Sequence, residues 1–296
     1  MTPLDYEFLR KLLKARSGLV LSADKHYLVE SRLLPISRKN GLSNLSGLVA
    51  KLKSADAEAL TVEVVEAMTT NESLFFRDKT PFDQFCDTIV PAMLAARTSS
   101  RRVRIWCAAS STGQEPYTLA ICLKEMGKEL AGWRFDILAT DLSTEVLEKA
   151  KSGIYSQFEV QRGLPVTMLI KYFSQVGEMW QIAPEIRAMV KFQPFNLLSD
   201  FSSLGTFDVV FCRNVLIYFD QETKIDVLNR IDKVVERDGF LTLGGAETVV
   251  GLTHAFRPVV DKRGLYAPNP GGKSPAFPAS NVVRLVPAAA RIASAR

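Results

Sequence analysis

A run of small side chains, Cys107-Ala108-Ala109-Ser110-Ser111-Thr112-Gly113-Gln114-Glu115-Pro116-Tyr117, follows one apolar stretch and leads into a helical one. Small residues let backbone approach a ligand closely, and Pro116 suits the first turn of a helix. The run has neither the three-glycine dinucleotide fingerprint nor the Gly-Lys-Ser/Thr of a phosphate loop, which weakens NAD and ATP readings. A tight strand-to-helix turn without a ligand would also account for it. Asp141 ends a second apolar run, 28 residues after Gly113. That is near the spacing at which a carboxylate meets ribose hydroxyls, although an N-cap role, for which Ser143 competes, is the alternative. Together the two motifs favour a nucleoside ligand without a pyrophosphate, and S-adenosyl-L-methionine fits. Arg213 and Asn214 close a third run, Phe207–Cys212, at what should be a strand's carboxyl end.

The elements that must carry these residues are legible from periodicity. Val103–Ala108, Phe135–Ala139, Val190–Phe192, Phe207–Phe211 and Phe240–Leu243 are short apolar runs suited to buried parallel strands. Glu115–Lys124, Thr144–Lys151 and Gln221–Val235 supply helical crossovers, which predicts a Rossmann-like, doubly wound α/β sheet. Before it, Thr2-Pro3 with Asp5 reads as a helix start, and Leu4, Phe8 and Leu12 repeat at helical spacing. Further helices are expected over Asp24–Leu34, with Pro35 ending or kinking it, and over Leu45–Leu52 and Glu58–Met68. The expected layout is an N-terminal all-helical domain over 1–80 and an α/β domain over 81–268. An insert on the sheet is expected within about 155–190, and a disordered basic tail over 269–296.

Composition narrows the class. A hydrophobic share of 47% and a charged share of 23% are ordinary globular values. No leader pattern and no long apolar run is seen, so a cytoplasmic location without membrane insertion is expected. Cys86, Cys107, Cys122 and Cys212 are widely spaced, and with only His26 and His254 neither disulfides nor a metal site is expected. The net charge of +5 is concentrated at the ends, with ten Lys/Arg against four Asp/Glu in residues 1–53. An acidic protein partner suits this better than nucleic acid, which would want basic residues interleaved with stacking aromatics.

Several motifs in order resemble the CheR-type chemotaxis receptor glutamate O-methyltransferases, over Met1 to about Ala267. They are Thr69-Thr70-Asn71-Glu72-Ser73-Leu74-Phe75-Phe76-Arg77-Asp78, the small-residue run ending Gly113-Gln114-Glu115-Pro116-Tyr117, Ala139-Thr140-Asp141-Leu142 with Val146–Ala150 and Gly153-Ile154-Tyr155, and Phe211-Cys212-Arg213-Asn214-Val215-Leu216-Ile217-Tyr218-Phe219. The chain departs at Ser110, Ser111 and Gln114, where the family commonly has other small residues and a Glu, and at Ser73, where Thr is usual. The resemblance implies that Asn71, Ser73 and Arg77 close over the methionine part of the cofactor and that Glu115 meets its polar end. It also implies that Asp141 takes the ribose, that Asn196 and Leu197 flank the adenine, and that Arg213 and Asn214 line the pocket. Within the insert it implies a small antiparallel β subdomain.

The implied activity is methylation of glutamates on the cytoplasmic domains of methyl-accepting chemotaxis receptors, with S-adenosylhomocysteine as product. A glutamate with a reference pKa of ~4.3 is already ionised at neutral pH, so no general base is needed. Arg77 and Tyr218 are the candidates for orienting the reacting groups, an interdomain ion pair being the alternative for Arg77. A methyltransferase for small molecules or nucleic acid, or a non-catalytic module that senses the cofactor, would share the sheet. Arg10, Lys11, Lys14, Arg32, Arg38 and Lys39 are a candidate receptor-facing surface, with a solvated helix face as the alternative. The stretch Tyr172–Ile182 reads as a hairpin shorter and poorer in glycine than that of family members that hold a receptor's C-terminal peptide. A tether-independent monomer is therefore expected, with Trp180 and Ile182 covering the sheet.

Overall fold

The computed structural model describes residues 1–270. The tail from 271 onward, where most of the expected disorder falls, lies outside the described residues. Four helices come first: α1 (Pro3–Ser17), α2 (His26–Lys39), α3 (Leu45–Leu52) and α4 (Glu58–Met68). Thr2 caps α1 reciprocally with Asp5, the Thr hydroxyl accepting the Asp5 N–H and the Asp5 carboxylate accepting the Thr2 N–H at 3.0 Å. Leu9, Leu13, Val29, Leu33, Leu48, Val49 and Val64 bury one apolar core between these helices.

Of the two effects expected of Pro35, ending the helix is not the one seen: α2 runs one further turn, to Lys39. Pro35 sits on the solvent face beside exposed Ser31, so water can take the carbonyl that proline leaves without a donor.

A short helix α5 (Thr80–Gln84) passes through a π-helical turn, Phe85–Ile89, into α6 (Val90–Ala96). The α/β part follows in the order β1 (Arg102–Ala108), α7 (Gln114–Met126), β2 (Arg134–Asp141), α8 (Thr144–Ser152), β3 (Ile154–Ser156), α9 (Gln157–Gln161), α10 (Val166–Tyr172), β4 (Phe173–Val176), β5 (Met179–Ile182), α11 (Pro184–Arg187), β6 (Val190–Pro194), β7 (Phe207–Cys212), α12 (Gln221–Val234), β8 (Val235–Leu243), β9 (Phe256–Pro258) and β10 (Leu265–Pro268).

The main sheet has the order β6-β2-β1-β7-β8-β10-β9, with β6 to β8 parallel and the last two strands antiparallel. Each expected strand is present, extended by a few residues. The strand order reverses between β1 and β7, so a ligand crevice opens at their carboxyl ends. Aromatic and aliphatic side chains fill both faces: Phe85, Tyr117 and Phe211 pack on one, Trp106, Phe201 and Phe207 on the other.

The insert forms a three-stranded antiparallel sheet, β3-β5-β4. β4 and β5 are joined by the two residues Gly177 and Glu178, and Gly177 takes φ +62°, as a tight hairpin requires. Ile182 is fully buried, and half-buried Trp180 packs on the core while donating to Gln157 at 2.6 Å.

Candidate active site

The segment between α4 and α5 lies as a strap across the carboxyl ends of the sheet. Arg32 holds its start, donating to the carbonyls of Met68 and Thr69 at 2.8 and 2.7 Å, which α4 would otherwise leave without donors. The Ser111 hydroxyl donates to the Asn71 carbonyl at 2.8 Å, and the Phe76 N–H donates to Thr118. Arg32 is therefore part of the scaffold. Of the basic residues expected to form a docking face, Arg10 donates to the Leu21 carbonyl, Lys14 pairs with Asp220 and Lys39 with Glu63. That surface is therefore largely engaged by internal partners.

Under the strap is a cleft of about 970 Å³, counted to its open mouth. It is lined by Asn71, Ser73 and Arg77 from the strap, Ser110, Ser111 and Glu115 after β1, Asp141 after β2, Asn196 and Leu197 after β6, and Arg213, Asn214 and Tyr218 after β7. Every site residue expected from sequence thus borders one cavity. The small-residue run is shaped by backbone: Ala109 and Ser111 have φ of +60° and +51°. Gly113 has φ +91° and leaves no room for a Cβ, which would meet Ala150 at 2.9 Å and Phe192 at 3.2 Å.

Asp141 accepts the Ser111 N–H at 2.8 Å and the Ser143 N–H at 3.0 Å, and is 7% exposed. Burial raises its pKa against the pull of those N–H groups. The N-cap of α8 is Ser143, which accepts from Val146, so the carboxylate is not the helix cap. At the other end Glu115 is also raised by burial, opposed by the Arg213 guanidinium that donates to it at 2.7 Å. Arg213 donates further to Asp78 and to the Arg77 carbonyl at 2.8 and 3.0 Å. Its side chain is 1% exposed; the two terminal nitrogens fix Glu115 and the strap, while the buried Nε has no partner among the described residues. Asn196 is similarly engaged, donating to the Arg16 carbonyl at 2.7 Å while accepting from Leu198. Arg77 makes one side-chain bond, to the Glu72 carbonyl, and the Tyr218 hydroxyl has no partner among the described residues.

Residues 71–264 match the CheR methyltransferase SAM binding domain, and residues 4–69 match the CheR methyltransferase all-alpha domain. The chain belongs to the CheR methyltransferase family. It is 39% identical over 266 residues to the chemotaxis protein methyltransferase Cher2 of Pseudomonas putida, covering 88% of this chain and 96% of that protein. It is 40% identical over 265 residues to chemotaxis protein methyltransferase 1 of Pseudomonas aeruginosa, with 88% and 96% covered. Chemotaxis protein methyltransferase 1 of Vibrio cholerae is 39% identical over 258 residues, with 86% and 93% covered. As a CheR methyltransferase the chain uses S-adenosylmethionine, and the cleft suits it. Two buried carboxylates stand at separate ends, fit for hydroxyls at one and a cation at the other. Leu19, Leu142, Phe195, Leu197 and Phe219 give apolar walls for a flat base.

Sequence reading missed three residues. Asp78 anchors the strap to Arg213. Glu66, on α4, accepts from the N–H and hydroxyl of Thr144 at 2.9 and 3.0 Å and so caps α8 from the other unit. Glu247 accepts backbone N–H groups from the loop that carries Asn214. Asp78 had a cue as the last residue of the Thr69–Asp78 motif, and Glu247 had one in the Gly244-Gly245 pair that closes a strand just ahead of it. No helix among the described residues is long and apolar enough to cross a membrane.

Proposed function

We propose that this CheR methyltransferase esterifies glutamate side chains on the cytoplasmic domains of methyl-accepting chemotaxis receptors, working in the cytoplasm as a monomer. Residues 1–80 serve as a helical lid, residues 81–268 as the catalytic domain, and about 155–190 as its β subdomain. The observation that carries the reading is the convergence of Asp141, Glu115, Arg77 and Tyr218 on one cleft in a chain of this family.

In this reading Asp141 accepts the ribose hydroxyls, and Glu115, held by Arg213, receives the ammonium of the methionine part. A cation placed there offsets the burial that raises the Glu115 pKa. Asn71, Ser73 and Arg77 close from the strap, Leu197 and the backbone at Asn196 flank the base, and Asn214 lines the acceptor side. Bound S-adenosylmethionine supplies an electrophilic methyl group on a sulfonium. The protein's remaining work is alignment and exclusion of water. The acceptor carboxylate arrives ionised, and Arg77 and Tyr218 orient it. Firm ground-state binding would slow transfer, which fits an Arg77 that is half-exposed and loosely held.

The two-residue turn from β4 to β5, a short hairpin, supports recruitment without a C-terminal receptor tether. The test of the function is transfer of labelled methyl groups to receptor cytoplasmic fragments, read as base-labile ester. Glutamine in place of the acceptor glutamates should abolish the label, and stable label or none on the unaltered fragments would reject the reading.

A further inference from the structure

Glu247 follows β8 and is not among the residues that line the cleft, yet it grips the loop that does. Its Oε2 accepts the N–H of Gly244 at 2.7 Å and of Asn214 at 2.8 Å. Its Oε1 accepts the N–H of Val215 at 3.0 Å and of Ile217 at 3.3 Å. Four backbone donors from the exits of two neighbouring strands, β7 and β8, therefore converge on one carboxylate.

The contact has a cost that only a specific arrangement would retain. Asn214 is held at φ +58°, in the left-handed region. A Cβ on Gly244 would lie 2.7 Å from Glu247 Oε2 and 2.8 Å from Asn214 Nδ2, so glycine alone permits the approach. The fixed segment begins at Asn214 and ends at Tyr218, whose N–H donates to the Val215 carbonyl at 3.1 Å. Without Glu247, these four N–H groups would form an open anion cradle beside a site that takes a carboxylate.

We propose that Glu247 is a positioning residue for methyl transfer: it sets Asn214 and Tyr218 against the acceptor and closes a backbone cradle that would otherwise compete for the acceptor carboxylate. This rests on the assignment of Asn214 and Tyr218 to the acceptor side. A displacement of these groups by about 1 Å lowers a rate on the order of a hundredfold. Asp141 and Ser111, at the far end of the cleft, make no contact with Glu247 and keep their geometry.

The test is Glu247→Gln and Glu247→Ala, with S-adenosylhomocysteine affinity by calorimetry, thermal melting, and kcat and KM for methylation of receptor fragments. In Glu247→Gln an amide NH2 faces two of the N–H donors. The expected result is S-adenosylhomocysteine binding within about threefold of wild type and kcat at least about tenfold lower in both variants. Added acetate should restore part of the rate in Glu247→Ala, where it can fill the cradle, and none in Glu247→Gln. Wild-type kcat in either variant, losses of affinity and melting temperature that match the loss of kcat, or failure of both variants to fold would each overturn the proposal. A wild-type chain that binds S-adenosylhomocysteine but methylates no receptor fragment would instead overturn the underlying assignment, and the wild-type arm alone reveals it.

Discussion

Arg213 and Glu115 meet at 2.7 Å from the exits of β7 and β1, the two strands between which the sheet order reverses. The pair closes the floor of the cleft, and the second arm of the guanidinium reaches the strap at Asp78 and the Arg77 carbonyl. Removing one member leaves the other charged and buried, which typically costs about 3–5 kcal/mol. Arg213→Ala should lower unfolding free energy by that order in denaturant titrations. Arg213→Lys should recover part of it, since it restores the charge but a compact ammonium does not span acceptors placed around a planar guanidinium. Equal stability of wild type and Arg213→Ala would mean the pair is not structural.

Asp141→Ala should weaken S-adenosylhomocysteine binding by on the order of 1–3 kcal/mol, through lost bonds to a charged acceptor. Titration calorimetry reads it. Because Ser143 caps α8 itself, the variant should remain folded, and an unchanged affinity would remove Asp141 from the ribose role.

Tyr218→Phe and Arg77→Ala should slow single-turnover methyl transfer while leaving the melting temperature near wild type. Neither side chain has more than one hydrogen bond to lose. Wild-type rates in both would end their assignment.

Lys14 holds the Asp220 carboxylate well below the usual range, with the Thr223 hydroxyl and N–H assisting. A depressed folded pKa means that stability from this group is full above the unfolded pKa of about 3.9 and is lost as pH falls below it. Asp220→Asn keeps an N-cap for α12 and removes only the charge. Its melting temperature should fall below wild type at pH 6, and the gap should narrow as both are acidified below pH ~4. A gap independent of pH would show that the charge pair contributes nothing.

Short receptor-tail peptides with two spaced aromatics should give no binding heat with this chain, while receptor methylation proceeds. Micromolar binding would show that the free edge of β4 does accept a strand.

The strands and most helix bounds were legible because their cues are local. Apolar runs give β1, β2 and β7, and Leu45–Leu52 and Glu58–Met68 match α3 and α4 at both ends. The cleft's members were legible because strand ends collect functional residues and because several motifs resemble one family. The internal use of Arg32, Lys14 and Arg213 was not legible. Whether a cation faces water or a carbonyl depends on partners 36, 206 and 98 positions away, and charge counts carry no such pairing. Whether Pro35 would end α2 or leave it running was open for a related reason: its effect depends on which face of the helix meets solvent.

Glu66 caps α8 across a sequence gap of 78 residues. The first N–H of that helix, that of Thr144, has its acceptor in the other unit, and α8 begins three residues after Asp141. A truncated chain starting after α4 would lose that acceptor three residues from Asp141. Cofactor affinity should therefore decline on removal of the helical unit, even with every cleft residue of the sheet intact.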